Sequence, residues 1–127
     1  MLIDTHCHLD LGQFDEDRDE VLARARAAGV GAIVMPAIDL GNMERVIGLA
    51  ESSVRSENDA GVALYAAVGV HPNSAATWND ETLGQLRKAA SHSRVVAIGE
   101  IGLDNYWKDA TPQQQEDALW LQLELAA

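Results

Sequence analysis

Cysteine, positive charge and long apolar runs are scarce in this 127-residue chain. A single cysteine excludes a disulfide within the chain, which favours a reducing, cytoplasmic location. Nine lysines and arginines against 20 aspartates and glutamates give a formal charge of −11, which argues against a broad basic surface for duplex DNA. The acidity is compatible with a nuclease that holds phosphate through metal ions, and it could equally serve solubility alone.

Membrane insertion and secretion find no support in the sequence. No apolar run approaches the ~20 residues that a helix needs to cross a bilayer. The N-terminus lacks a basic segment followed by an apolar core and a cleavage site, so it does not read as a signal peptide. No low-complexity linker or change in composition predicts a second domain. We therefore expect one cytoplasmic domain without a membrane partner.

Apolar runs recur at a spacing of about thirty residues, the length of one βα unit. They occupy residues 2–3, 32–35, 62–68 and 95–98. Runs this continuous are typical of parallel strands that are buried on both faces. Stretches with apolar residues at helical spacing separate them, the second of which is marked from Val46 to Val54. Before the last stretch, Thr111, Pro112 and Gln114 predict a capped helix start. The pattern indicates an α/β protein.

Four βα units are half of the eight that close a TIM barrel of roughly 250 residues. The fourth helical stretch continues to Ala127 with no glycine cap after it. We therefore expect residues 1–127 to form the N-terminal half of a single (β/α)₈ barrel, an incomplete half-barrel; a small open sheet is the alternative. A half-barrel leaves strand edges unpaired, so self-association through these edges is expected.

A metal-binding pattern lies at the end of the first predicted strand. Asp4, His6 and His8 alternate, so their side chains would point to one face of a strand. Two imidazoles there can form half of a divalent-metal site, whereas solvated histidines are the alternative. Asp4 could orient one of them. Cys7 has the opposite parity and should pack as a small apolar side chain rather than act as a nucleophile.

Functional residues of TIM barrels collect where the strands end. Asp39 follows the second predicted strand, and we expect it to cap a helix or form a turn. Glu100 follows the fourth strand between two glycines, which permit close backbone approach. A buried glutamate is costly unless it is paired or bound to a cation. Glu100 is therefore expected to be paired or bound to a cation, and a loop glutamate that reaches water is the alternative.

Other polar and aromatic residues have more open roles. His71, after the third strand, could contact a substrate phosphate, could support a metal ligand, or could be an ordinary loop histidine before Pro72. Asp104 could accept a hydrogen bond from a ligand histidine or cap its own turn. We expect the three tryptophans to be core or loop anchors rather than a base-stacking platform; they are Trp78, Trp107 and Trp120.

Three motifs together resemble the TatD family of metal-dependent deoxyribonucleases. They are IDTHCHLD at residues 3–10, GVHP at residues 69–72 and GEIGLDNY at residues 99–106. Gln115 and residues 121–126 are similar to the helix that follows in the family. Asn105 stands where an aromatic residue is more usual, which is a loop change.

The resemblance implies an amidohydrolase-like TIM barrel with two divalent cations, such as Mg²⁺, Mn²⁺ or Zn²⁺. His6 and His8 match ligands of one metal, and Glu100 matches the carboxylate that bridges both. The family's other ligands, two histidines and an aspartate, would lie beyond residue 127, as would the catalytic residues. The implied reaction is hydrolysis of a phosphodiester by metal-activated water, with DNA as substrate. Residues 1–127 alone are expected to be a poor catalyst.

Two other functions stay open at this point. One is a metal hydrolase that acts on other phosphoesters or on C–N bonds; the other is a non-catalytic fragment. A PHP-type phosphoesterase is disfavoured because no Ser-Asp-Gly follows His8.

Overall fold

The computed structural model describes residues 1–53 and 61–127. Its strands are β1 (Leu2–Asp4), β2 (Val30–Pro36), β3 (Ala63–Val68) and β4 (Val95–Ile98). Its helices are α1 (Arg18–Ala27), α2 (Leu40–Ser52), α3 (Thr82–Ala90) and α4 (Pro112–Ala126), with short 3₁₀ helices at Gly12–Phe14 and Pro72–Thr77. The predicted end of the second helix at Val54 lies outside the described residues. Within the described residues, no helix is both long and apolar enough to span a membrane.

The described strands form one parallel sheet in the order β1-β2-β3-β4. In its register, Ile33 of β2 lies between Asp4 of β1 and Leu64 of β3, and Val68 of β3 pairs with Ile98 of β4. A helix connects each described strand to the next, as parallel pairing requires. The predicted α/β fold of alternating strands and helices is confirmed.

Burial is concentrated in the two central strands and the helices packed on them. The core contains Ile33, Met35, Val46, Leu64, Val68 and Leu86. The outer strands differ, since Leu2 and Ile3 are 61% and 57% exposed and Val96 is 54% exposed. The expectation of strands buried on both faces is therefore wrong for β1 and β4. The reason is that each of these strands pairs along one edge only within the described sheet.

Self-association through these open edges stays a prediction. A groove of about 460 Å³ beside β4 is lined by Val95–Ile98 together with Ala90, Leu125 and Ala126. If β1 of a second copy paired there, it would cover exposed apolar side chains on both strands. We expect light scattering to give a mass that rises with concentration above the 13.7 kDa of one chain. Val96→Lys, which places a charge on the open edge, should shift the chain toward monomer; a wild-type monomer at every concentration would contradict the prediction.

The start of α4 follows the sequence pattern, and the structure shows which of its residues are buried. Thr111 and Gln114 form the predicted capping box, and Pro112 occupies the first turn. The leucines at positions 119, 121, 123 and 125 are two residues apart, so they do not share one face of the helix. The buried positions are Gln115, Ala118 and Gln122. Two of these three are amides, whose partners lie in the loops after β3 and β4. Leu125 also packs against the core.

Candidate metal centre

His6 and His8 follow β1 rather than lying within it, because the strand ends at Asp4. The chain nevertheless continues along β2, since the backbone N–H of Cys7 donates to the carbonyl of Val34 at 3.2 Å. The two imidazoles converge, and their Nε2 atoms are 3.3 Å apart. The convergence predicted from alternation therefore occurs, although the strand is shorter than predicted.

Glu100 follows β4, and its carboxylate meets both imidazoles. Its Oε2 lies 3.4 Å from Nε2 of His6 and 3.6 Å from Nε2 of His8. Backbone hydrogen bonds fix its approach, because Gly99 donates to the carbonyl of Val68 and Glu100 donates to that of Ala37, each at 3.0 Å. The side chain is 30% exposed, so it is turned toward the imidazoles rather than extended freely into water.

Close backbone approach at this position depends on Gly69. A Cβ added to Gly69 would lie 2.8 Å from the carbonyl carbon of Gly99. Such a contact would force the backbone next to Glu100 to move, because the neighbouring atom is not the end of a flexible side chain. The close approach of the ends of β3 and β4 therefore requires a glycine at position 69, directly after β3. A Cβ on Gly99 would make only an ordinary contact.

The group of His6, His8 and Glu100 has the dimensions of a metal site. One ligand atom from each lies within 4.8 Å of the others. Ligand atoms about 2.0–2.1 Å from an ion, at tetrahedral angles, lie about 3.3–3.4 Å apart. The spacings here are 3.3, 3.4 and 3.6 Å. The donor and acceptor roles of the two Nε2 atoms depend on the tautomers of the imidazoles. In the tautomers that leave both Nε2 atoms unprotonated, their lone pairs would face the carboxylate oxygen, and a cation between them would relieve the repulsion.

His71 lies beside the same group. Its Nδ1 accepts a hydrogen bond from the backbone N–H of Asn73 at 3.1 Å. In the neutral tautomer the proton is therefore on Nε2, which lies 3.5 Å from Oε1 of Glu100. Of the roles open to His71, support of Glu100 is the one that these contacts favour. Contact with a substrate phosphate stays a prediction.

The site opens to solvent through a cavity of about 380 Å³. Its lining combines the four side chains above with the end of β2 and the 3₁₀ helix after β3, and consists of His6, His8, Ile38, His71, Asn73, Ser74 and Glu100. Backbone hydrogen bonds join these segments, since His71 donates to the carbonyl of Ile38 at 2.8 Å. The arrangement leaves space beside the imidazoles and the carboxylate for a small anionic group.

Asp4 and Asp104 act on the backbone in this structure. The Asp4 carboxylate accepts the backbone N–H of His6 at 3.1 Å, so it orients that histidine through its main chain. The Asp104 carboxylate accepts the backbone N–H of Tyr106 at 2.8 Å and the side-chain amide of Asn73 at 3.4 Å. The hydrogen bond from Tyr106 lowers the pKa of Asp104. These contacts match the turn-capping alternative rather than a hydrogen bond to a ligand histidine.

Asp39 and Cys7 take the roles expected of them. Asp39 caps α2, and its carboxylate accepts the backbone N–H of Asn42 at 2.9 Å. Cys7 packs against the core, and burial, reinforced by the charges of Asp4 and Asp10, raises the pKa of its thiol. A thiol that is harder to ionise is a poor nucleophile.

The tryptophan prediction is only partly correct. Trp78 packs against the core, as expected. Trp107 and Trp120 are 56% and 66% exposed, so the anchor role predicted for them is wrong. Trp107 instead meets the exposed ring of Tyr106 edge to face, with 5.0 Å between the ring centroids. Neighbouring elements do not cover the side chains at these two positions. The sequence pattern does not show which positions are covered.

Asp10 is a site residue that the sequence patterns did not single out. Its side chain is 3% exposed, and its Oδ1 lies 3.8 Å from Nδ1 of His8. One available signal was that Asp10 continues the alternation of Asp4, His6 and His8. A second was that it ends the IDTHCHLD motif.

Two buried glutamines of α4 hold the loops that carry the site. Gln122 accepts the backbone N–H of Val70 at 2.7 Å and donates to its carbonyl at 3.2 Å. Gln115 accepts the backbone N–H of Asp104 at 2.7 Å and donates to its carbonyl at 2.9 Å. Each side-chain amide thus pairs with both the N–H and the carbonyl of one loop residue, as the backbone of a neighbouring strand would. Their seven-residue spacing was the signal that could have indicated a shared helix face.

Comparisons with known proteins agree with this geometry. The model of the family described as TatD related DNase matches residues 3–127. The chain is 41% identical over 126 residues to a 3'-5' ssDNA/RNA exonuclease TatD of Cronobacter turicensis, an alignment that covers 99% of this chain and 45% of that relative. It is 37% identical over 126 residues to an uncharacterised metal-dependent hydrolase, YabD, of Bacillus subtilis, covering 99% of this chain and 46% of that one.

A solved structure gives the same picture. The crystal structure of YjjV, a TatD homologue from Escherichia coli K12, matches with a TM-score of 0.84 at 42% identity, and the match covers 98% of this chain and 46% of that one. The chain therefore spans a little less than half the length of these relatives. Its parallel βα units correspond to the first half of a TatD TIM barrel.

Proposed function

Because this chain belongs to the TatD-related DNase family, we propose that His6, His8 and Glu100 are ligands of a divalent cation in a metal-dependent hydrolase of the nuclease type. The observation that carries the proposal is the convergence of their ligand atoms within 4.8 Å where β1 and β4 end. Neutral imidazole and carboxylate suit Zn²⁺, Mn²⁺ and related ions. In the complete barrel we propose two such cations, with Glu100 shared between them.

The chain's own residues have distinct parts in this proposal. A bound divalent cation would supply positive charge that polarises a phosphoryl oxygen and favours ionisation of the attacking water. His6 and His8 would hold it without adding charge, and Glu100 would lower the net charge of the site. Nε2 of His71 lies 3.5 Å from Oε1 of Glu100, and Oε2 lies 3.4 Å from Nε2 of His6, so His71 would support the carboxylate from the side away from the imidazoles. The open cavity beside them is the proposed position of the scissile phosphate.

Single-stranded nucleic acid is the proposed substrate, since a relative that is 41% identical is named as an exonuclease of single-stranded DNA and RNA. The formal charge of −11 would repel phosphate, so substrate binding should depend on the cations. We further propose that residues 1–127 form one half of a single barrel domain and have little activity alone. A cytoplasmic location stays a prediction.

The function is tested in a chimaera that joins residues 1–127 to the part of E. coli YjjV that lies beyond the matched region. We expect it to shorten end-labelled single-stranded DNA or RNA when Mg²⁺, Mn²⁺ or Zn²⁺ is present. EDTA, or Glu100→Gln in the chimaera, should abolish the reaction. A folded chimaera that leaves every nucleic acid intact but hydrolyses an amide or lactone would overturn the nuclease proposal in favour of the other metal hydrolases.

A further inference from the structure

Asp10 is a buried acid, and only one of its two carboxylate oxygens accepts a hydrogen bond from the described residues. Its Oδ2 accepts a hydrogen bond from the side-chain amide of Asn42 at 2.9 Å. Its Oδ1 is buried and has no hydrogen-bond partner among the described residues. A buried carboxylate in this condition is costly unless a donor or a positive charge lies close by. Oδ1 therefore needs a hydrogen-bond donor or a positive charge close to it.

The imidazole of His8 is the candidate partner. Nδ1 of His8 is 3.8 Å from Oδ1 of Asp10, and Nε2 of the same ring faces His6 and Glu100. When Nε2 binds a cation, the ring proton resides on Nδ1 and points toward Asp10. A ring movement of about 0.8 Å would bring the two atoms to hydrogen-bonding distance. His8 thus lies between the buried carboxylate and the candidate metal site.

The carboxylate is held firmly enough to orient a ring. The carbonyl of the Asn42 side chain accepts the backbone N–H of Ile38 at 2.9 Å, which joins Asn42 to the end of β2. The backbone of Asp10 is fixed as well, since the Nε–H of Arg45 donates to its carbonyl at 2.6 Å. The Nε–H of Arg18 donates to the carbonyl of Leu9 at 2.8 Å. These contacts attach Asp10 to α1 and α2 rather than to a free loop.

We propose that Asp10 positions His8 for cation binding by accepting a hydrogen bond from Nδ1–H of its imidazole. This inference rests on the proposed metal site. The hydrogen bond selects the tautomer with a free Nε2 and sets the plane of the ring. The buried negative charge also lies next to the site without being a ligand, so it favours a bound cation. Asp10 is accordingly a positioning residue for the cation rather than a catalytic one.

The experiment compares cation binding by the 127-residue chain and two matched variants, using calorimetric titration with Zn²⁺ and Co²⁺. Asp10→Asn keeps the shape of the side chain but removes its charge, and we expect affinity to fall about 10–100-fold. Asp19→Asn is the control. It removes the same charge from the first turn of α1, where Asp19 is exposed. Its affinity should stay within about 2-fold of wild type, because exposed surface charges contribute little.

A second measurement is made on the wild type and does not depend on whether Asp10→Asn folds. In the Zn²⁺-loaded chain, ¹⁵N-edited NMR of the imidazoles should show a His8 Nδ1 proton at low field that exchanges slowly with water. If Asp10→Asn affected only folding stability, the molecules of this variant that remain folded would show the same His8 Nδ1 signal as the wild type. We expect these folded molecules to lose the low-field position and the protection.

The outcomes separate this inference from the function on which it rests. No cation binding by wild type, or binding unaffected by His6→Ala, would overturn the metal site and the role of Asp10 with it. Binding that His6→Ala abolishes, with a rapidly exchanging His8 Nδ1 proton in the wild type, would overturn the role of Asp10 alone. An affinity of Asp10→Asn within about 2-fold of wild type would do the same, because the loss of such partners typically costs 10–100-fold.

Discussion

Glu100→Gln is expected to weaken binding of a divalent cation by the chain about 100-fold or more, which corresponds to about 2.7 kcal/mol. The substitution keeps the shape of the side chain but removes the negative charge of Oε2, which lies 3.4 Å and 3.6 Å from the two Nε2 atoms. An amide oxygen attracts a cation far less than a carboxylate oxygen does. Titration with Zn²⁺ and Mn²⁺ in the presence of a competing chelator measures the change.

The chain offers a matched control for this variant. Glu51 also pairs with a histidine, and its Oε1 lies 3.0 Å from Nε2 of His92. That pair joins the last turn of α2 to the loop before β4 and does not belong to the candidate metal group. Glu51→Gln should therefore leave cation affinity unchanged. Equal affinities for wild type and Glu100→Gln would mean that the cation binds elsewhere.

Gln122→Leu is expected to lower the free energy of unfolding by about 2–4 kcal/mol, because each unpaired buried polar group costs about 1–3 kcal/mol. The substitution approximately preserves volume but leaves both the N–H and the carbonyl of Val70 without the amide that now binds them. Val70 is 2% exposed, so water cannot easily replace that amide. Urea denaturation followed by far-UV circular dichroism measures the loss.

Gln113→Leu is the control on the same helix. Gln113 is exposed, and its side-chain amide donates to the carboxylate of Asp117 at 2.8 Å. Surface substitutions of this kind usually change stability by no more than about 0.5 kcal/mol. Similar losses in the two variants would contradict the importance of the Val70 contact. Gln122→Leu should also weaken cation binding, since the loop that it releases carries His71 next to Glu100.

The strands and helices followed closely from local sequence pattern. The apolar run at residues 95–98 matches β4 residue for residue, and the capping signal at Thr111 matches the start of α4. Both depend on neighbouring residues and on backbone geometry, which are visible in sequence. Burial was less predictable. Val96 lies in an apolar run but is 54% exposed, because exposure depends on whether another strand lies beside β4.

The members of the candidate metal group could also largely be predicted from the sequence. Alternation predicts that His6 and His8 share a face, and the topology of parallel strands predicts that Glu100 meets them at the same edge of the sheet. Both rules concern where the backbone places a side chain. The hydrogen-bond partners of a side chain are a different matter. Asp104 was a candidate partner for a ligand histidine, yet its carboxylate binds the backbone of its own turn.

By itself, the sequence determined the order of the elements, the family resemblance and the three residues that converge as candidate metal ligands, because these follow from periodicity and motif spacing. Only the tertiary structure decided which polar groups support them. Asp10 binds Asn42 across 32 positions, and Gln122 binds Val70 across 52. Such contacts arise from packing between distant segments, where the cost of burying an unpaired polar group selects the partner. No local pattern encodes that selection.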